Sequence, residues 1–194
     1  MTTVACRSGL AGKLQVGRRR SVAVPKLIVG SLIVKMWKKI TDKNVANVSE
    51  ETLNGVLKLY RENFTEINEA RFKLYTRFFK RTTYVYVDEN EVRGYCLYYV
   101  MASLSKRGLA RVATLYSFTV DNKYQGLGIG TKLLEKSLLE MQLHSIDRVI
   151  LYVAADNEPA IGLYEKMGFK ATEEVMDVCG PGKQCYQMEL FFSN

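Results

Sequence analysis

The sequence predicts a mixed α/β fold, with one central sheet carrying helices on both faces. Two observations lead there. The chain reads β-α-α-β-β-β-α-β-α-β-β, so strands alternate with helices only in its second half. Of its 194 residues 47% are apolar, enough for the core of a single domain.

The elements follow from the N-terminal end of the domain. Trp37 to Thr41 is a short strand candidate. Asn47 and Glu50, three residues apart, resemble a capping box at the start of a helix. That helix places Leu53, Val56, Leu57 and Tyr60 on one face at helical spacing. A second helix runs from Asn68 to Phe79, with Phe72, Tyr75 and Phe79 sharing a face. Thr82 to Val87 and Val92 to Met101 are strands joined by an Asp-Glu-Asn turn. Arg111 to Val120 is a further strand. A glycine loop and a helix from Ile129 to Gln142 come next, then a strand from Arg148 to Val153. Glu158 to Met167 is a short helix closed by Gly168. Two last strands flank the turn Gly180-Pro181-Gly182.

The most telling segment is Tyr124-Gln125-Gly126-Leu127-Gly128-Ile129-Gly130-Thr131, between a strand and a helix. Glycines let a backbone approach a ligand closely. The helix that follows offers unpaired N–H groups and the positive end of its dipole. The segment from Lys123 to Leu134 contains no acid. Together these features make an anion site, and phosphate is the natural occupant. A plain glycine turn before a surface helix is the competing reading. A P-loop requires Gly-Lys-Ser/Thr, whereas Lys132 here follows Gly130-Thr131. A dinucleotide fingerprint requires G-x-G-x-x-G near the start of a parallel sheet, and that pattern is absent.

Gln125, Gly128 and Gly130 form the pattern Gln-x-x-Gly-x-Gly. Downstream, Asn157, Ala160, Leu163, Tyr164, Gly168 and Phe169 form Asn-x-x-Ala-x-x-Leu-Tyr-x-x-x-Gly-Phe. The pair of motifs resembles the GNAT superfamily of N-acetyltransferases, closest in flavour to ribosomal-protein and protein N-terminal acetyltransferases. The resemblance covers Thr82 to the C-terminus and is most specific from Val120 to Phe169. It implies a mostly antiparallel sheet of about seven strands with one splayed parallel pair, Arg111 to Val120 beside Arg148 to Val153. It also implies that acetyl-CoA is the co-substrate, lying in that splay. Backbone groups of Phe118, Thr119 and Val120 would hold its pantetheine arm and acetyl group. The segment Gln125, Gly126, Leu127, Gly128, Ile129, Gly130 and Thr131 would hold its pyrophosphate. Asn157, a good helix N-cap on its own, would add a hydrogen bond to the cofactor.

The same resemblance implies that Tyr164 contacts the cofactor and is the general acid for the departing thiolate. A phenol near pKa 10 stays protonated at neutral pH and has a proton to give. By helical spacing alone it is an ordinary core tyrosine. The attacking amine must be neutral, and many relatives supply a carboxylate for this. The ribosomal-protein subgroup has Leu-Glu-Val where this chain has Leu151-Tyr152-Val153. Tyr152 therefore takes the base position, with Tyr116 or a water relay as alternatives. Either tyrosine also reads as substrate packing. His144 reads as part of a surface loop with no role. The acceptor half falls to Phe72, Tyr75, Phe78, Phe79 and the loop around Lys183.

The expected activity is acetyl transfer to a primary amine, foremost a peptide or protein N-terminus. A lysine side chain, a small amine, or CoA binding without catalysis are the alternatives. The chain is expected to act as a monomer or homodimer, without a metal and without a membrane partner. A single histidine and the lack of any CxxC exclude the usual structural zinc spacings. The apolar run Leu27 to Val34 is too short to span a bilayer.

The formal charge is +8. Residues 1–35 hold seven basic residues and no acid, leaving 21 basic against 20 acidic residues from totals of 28 and 20. Basicity thus belongs to an N-terminal extension, and the acetyltransferase domain is expected over residues 36–194. Only the extension invites a nucleic-acid partner. The expected location is the cytoplasm, or an organelle if the extension is a transit peptide. Cys179 and Cys185 flank a tight turn and are expected as reduced thiols.

Overall fold

The structure, a computed structural model, describes residues 39–64, 68–105 and 108–192. The basic extension, Met36 and the first residues of the Trp37 to Thr41 strand candidate lie outside them. Lys39 to Thr41 form no strand; the first strand is β1 (Val45–Asn47). The Asp42 carboxylate turns the chain into it by accepting from the amides of Asn44 and Val45 at 2.9 and 2.8 Å.

Helices α1 (Glu50–Asn63) and α2 (Glu69–Phe78) follow. The cap of α1 is Ser49 with Thr52, not Asn47 with Glu50. Asn47 belongs to β1, and its amide donates to the carbonyls of Arg81 and Thr83. The expected apolar face of α1 is buried at Leu53, Val56, Leu57 and Tyr60. Asn68 caps α2, as its side chain accepts from the amide of Arg71 at 2.9 Å. Tyr60 stacks on Phe72 at 3.9 Å between ring centroids, joining the two helices.

Strands β2 (Thr83–Asp88), β3 (Glu91–Ser105) and β4 (Gly108–Val120) form antiparallel pairs. Helix α3 (Ile129–Leu143), strand β5 (Arg148–Ala154) and helix α4 (Glu158–Lys166) come next. Strands β6 (Lys170–Met176) and β7 (Gln184–Phe191) close the chain. The seven strands lie in the order β1-β2-β3-β4-β5-β7-β6. Every adjacent pair is antiparallel except β4 with β5. The mixed, mostly antiparallel seven-stranded sheet is therefore borne out.

Two apolar layers sandwich the sheet. One packs α3 and α4 against Tyr84, Tyr98, Leu115, Phe118, Leu151 and Val153. The other packs α1 and α2 against Val85, Tyr95, Leu97 and Tyr116. Among the described residues, the first layer buries the carboxylate of Glu140. Glu140 on α3 is 1% exposed, accepts from the amide of Ile40 at 2.9 Å and from the Tyr84 hydroxyl at 2.8 Å. Both oxygens are thereby satisfied, which is what makes its burial tolerable.

Two further expectations are corrected. His144 does not sit in a surface loop: it closes α3 and is 9% exposed, and its carbonyl accepts from Arg111 at 2.6 Å. Cys179 and Cys185 are joined as a disulfide rather than held as separate thiols. The turn between them brings their Cα atoms to 6.2 Å, within the span such a bond bridges. Cys96 is buried, and burial pushes its thiol up to about 12. Among the described residues no helix is long and apolar enough to cross a membrane.

Candidate functional site

The site begins where the sheet comes apart. β4 and β5 pair only from Val112 with Arg148 to Thr114 with Ile150. β4 then continues to Val120 and β5 to Ala154 without further pairing. The edge of β4 over residues 115–120 thus faces a fork with no residue paired to β5, and the Val120 carbonyl there accepts from the Gln125 side chain instead. Backbone groups in that position seek a ligand or water.

A bulge helps to open the fork. On the β3 side, Leu97 pairs with Ser117 and Tyr98 with Leu115, so Tyr116 is the extra residue of a β-bulge. An extra residue of this kind bends its strand and re-aims a side chain. Nothing in the sequence marks it.

Two helix N-termini stand at the mouth of the fork. Gly128 caps α3 in the left-handed region at φ 78°, and Gly126 shares that region at φ 79°. A Cβ at either glycine would meet nothing within 4 Å, so the loop leaves open space above its backbone. Gly130 is different. A Cβ there would come within 3.1 Å of the Phe118 ring and 3.3 Å of Leu163. Gly126 and Gly128 shape the cradle, while Gly130 lets α3 pack closely on β4 and α4.

Leu127 is exposed at the rim, whereas Ile129 is buried in the core and anchors the helix start. Thr131 follows in the first turn. Gln125 turns back on the loop: its amide donates to the Val120 carbonyl at 3.1 Å and to Asn122 at 2.7 Å. Behind the loop, the Arg93 guanidinium lies 4.2 Å from the Tyr124 ring centroid. Arg93 is also ion-paired with the Glu91 carboxylate, so it braces the Tyr124 ring, and the anion preference of the cradle rests on its amides and the lack of acids from Lys123 to Leu134.

Asn157 caps α4, its side chain accepting from the Ala160 amide at 3.4 Å. Tyr164, on the same helix, is fully buried. Its ring lies 6.2 Å from Phe118 and 5.9 Å from Phe169. It therefore borders β4 at the edge of the fork, on the α3–α4 face. Thr119, next along β4, has a buried hydroxyl with no hydrogen-bond partner among the described residues. An orphaned hydroxyl beside an unpaired strand edge fits a site made to receive a polar chain.

Tyr152 lies on the other face. Leu151 and Val153 point into the α3–α4 layer, and Tyr152 between them packs toward Ala154, Cys179 and Cys185. Tyr116 shares this opposite face. The structure thus brings Gly126, Gly128, Asn157, Tyr164 and the β4 edge to one side of the fork. Tyr152 and Tyr116 stand on the other. Neither β4 nor β5 carries a carboxylate. Of the expected acceptor aromatics, Phe72 is fully buried core and Phe78 is exposed, while Tyr75 and Phe79 lie between these extremes. A surface hollow of about 270 Å³ between α1 and α2 is lined by Ser49, Leu53, Thr76, Arg77 and Lys80 among others, and shares no residue with the fork. Among the described residues no group of three His, Cys, Asp or Glu is placed to hold a metal ion.

Comparison with known proteins points the same way. A mycothiol acetyltransferase of Corynebacterium glutamicum (strain R) is 42% identical over 59 residues, 30% of this chain and 20% of its own length. The chain therefore spans about a fifth of that relative. An N-alpha-acetyltransferase of Saccharolobus solfataricus is 26% identical over 153 residues, covering 76% of this chain and 92% of its own. A crystal structure of the NatC complex bound to Gag peptide and CoA superposes with a TM-score of 0.66 at 21% identity. That match covers 77% of this chain and 98% of the other. The sequence profile of the acetyltransferase (GNAT) family matches residues 53–169, more than half of the chain. The protein belongs to that family.

Proposed function

We propose that this chain is an acetyl-CoA-dependent N-acetyltransferase whose acceptor is the N-terminal amine of a peptide or protein. The observation that carries this reading is the fork: a β4 edge that leaves β5, with the N-terminus of α3, which has no side-chain cap, and the Asn157-capped N-terminus of α4 at its mouth. Supporting it are the family membership and the N-alpha-acetyltransferase relative. The similar NatC structure, bound to a peptide and CoA, supports it as well.

In this reading the amides of Gly126 to Thr131 bind the pyrophosphate, assisted by the α3 dipole. The edge at Phe118, Thr119 and Val120 aligns the pantetheine arm. Acetyl-CoA supplies the thioester. The amine nitrogen attacks the thioester carbonyl carbon, and the C–S bond breaks. Tyr164 gives its proton to the sulfur on the α3–α4 face. On the opposite face the amine sheds its proton to a water held by the Tyr152 or Tyr116 hydroxyl, because a protonated phenol cannot itself take one. The proton donor and the proton acceptor are thus kept apart by the sheet itself.

The test is an acceptor screen. Purified protein is incubated with acetyl-CoA and a panel of peptides, lysine-containing proteins and small amines, with mass detection of products. The expected result is acetylation of peptide α-amines. A second reading, a CoA-binding module without catalysis, is favoured by the lack of a carboxylate on β4 and β5. Acetyl-CoA binding with no thiol release above background for any acceptor would establish it.

A further inference from the structure

The elements assigned to the acetyl donor occupy one face of the fork. α3 and α4 lie over the face that carries Phe118 and Tyr164. An amine must then arrive from the other face, where α1 and α2 pack. There the bulge in β4 presents Tyr116. Its ring centroid lies 5.1 Å from that of Tyr75 on α2 and 6.3 Å from that of Tyr99 on β3. Phe79 completes the set, 6.0 Å from Tyr75 and 6.3 Å from Tyr99. Tyr116 is 8% exposed, whereas Tyr75, Tyr99 and Phe79 are half-buried. The cluster is therefore a wall with an open side, not a sealed core. Tyr152 stands across the fork, two residues beyond the last β4–β5 pair, as Tyr116 does on β4.

We propose that Tyr116, Tyr75, Tyr99 and Phe79 receive the first side chain of the acceptor peptide and select N-termini beginning with a large apolar residue, methionine or leucine. The inference rests on the N-terminal acetyltransferase reading above. A methionine or leucine side chain buries apolar area against these rings, and a thioether gains contacts at ring edges. The rings meet at tilts of 47° to 86°, so hydrogen-bearing edges as well as faces line the wall. Edges repel a cation, which disfavours a lysine in this position. None of the four rings carries a formal charge to replace the hydration of an aspartate. Alanine and serine reach too little of the wall to gain from it.

The experiment uses the full chain, acetyl-CoA and peptides identical except at residue one: Met, Leu, Ala, Ser, Asp or Lys. Thiol release gives kcat/KM for each. Met and Leu peptides are expected to exceed Ala, Ser and Asp by roughly tenfold or more. Tyr116→Ala is expected to shrink the Met-to-Ala ratio to about threefold or less, chiefly through a higher KM for the Met peptide. Tyr75→Leu, which keeps bulk but removes the ring, is the second variant should Tyr116→Ala fail to fold. It is expected to move the ratio in the same direction. Preference for Ala, Ser, Asp or Lys, or a ratio that neither variant moves, overturns the wall while leaving the acetyltransferase reading in place. Acetylation confined to side-chain or small amines overturns both.

Discussion

The two faces of the fork are built from different materials. On the α3–α4 face the work falls to the backbone: amides of a glycine loop, an unpaired strand edge and two helix N-termini. On the α1–α2 face it falls to side chains, the aromatic set around Tyr116. A backbone site constrains which residues are allowed, because only certain residues adopt its geometry. A side-chain site constrains only size and polarity, and many sequences satisfy it. The first kind suits an invariant ligand, and the second suits one that differs from enzyme to enzyme.

This contrast can be broken at Tyr164, the one side chain with an assigned chemical role on the backbone-built face. Tyr164→Phe keeps the ring contacts with Phe118 and Phe169. It is expected to lower kcat about 100-fold while acetyl-CoA affinity holds. Single-turnover kinetics beside calorimetric binding separate the two, and an unchanged chemical step would remove the acid role. Gly128→Val tests the backbone itself. A β-branched residue at φ 78° is strained, costing ~1–3 kcal/mol of stability, and its methyls would fill the cradle. Acetyl-CoA should bind about tenfold more weakly or worse, and a thermal melt with a titration reads both effects. On the other face, Tyr152→Phe should lower kcat/KM for a peptide by roughly 3- to 10-fold, the worth of one hydroxyl. A loss confined to acetyl-CoA binding would place Tyr152 on the wrong side of the fork.

The smallest expected effect lies outside the fork and sharpens the contrast as a control. Backbone amides of Asn44 and then Val45 hold the Asp42 carboxyl below its ordinary value. A depressed carboxyl contributes stability above its unfolded value of 3.8, and that contribution is lost as pH falls through the folded value. Asp42→Asn should therefore flatten the acid limb of a Tm-versus-pH profile below about pH 4. Turnover near neutral pH should not follow it.

The same contrast explains what the sequence disclosed. Gly126, Gly128 and Asn157 were legible as turn and cap residues because that geometry limits their types, whereas Tyr164 stood out only through the motif it shares with the family, since helical spacing alone makes it a core tyrosine. The bulge at Tyr116 was not, because an extra strand residue has no compositional mark. The cap of α1 was displaced to Ser49 because two polar residues, Asn47 and Ser49, compete within three positions and tertiary pairing put Asn47 into β1. The Glu140 cluster joins Ile40, Tyr84 and a helix over separations of 100 and 56 residues, beyond any local pattern. His144 read as surface because no local pattern marks its burial, and the Arg111 side chain that donates to its carbonyl lies 33 residues away.

The three residue pairs that join β4 to β5 have one more consequence. The sheet amounts to two antiparallel ribbons, β1 to β4 and β5 to β7, sewn together by a short seam. Each ribbon has its own internal ladders, so loosening can start at the seam without melting either one. A ligand lying along residues 115–120 would act as a second row of stitches there. Amide exchange at the seam should then report occupancy directly, slowing as the donor binds.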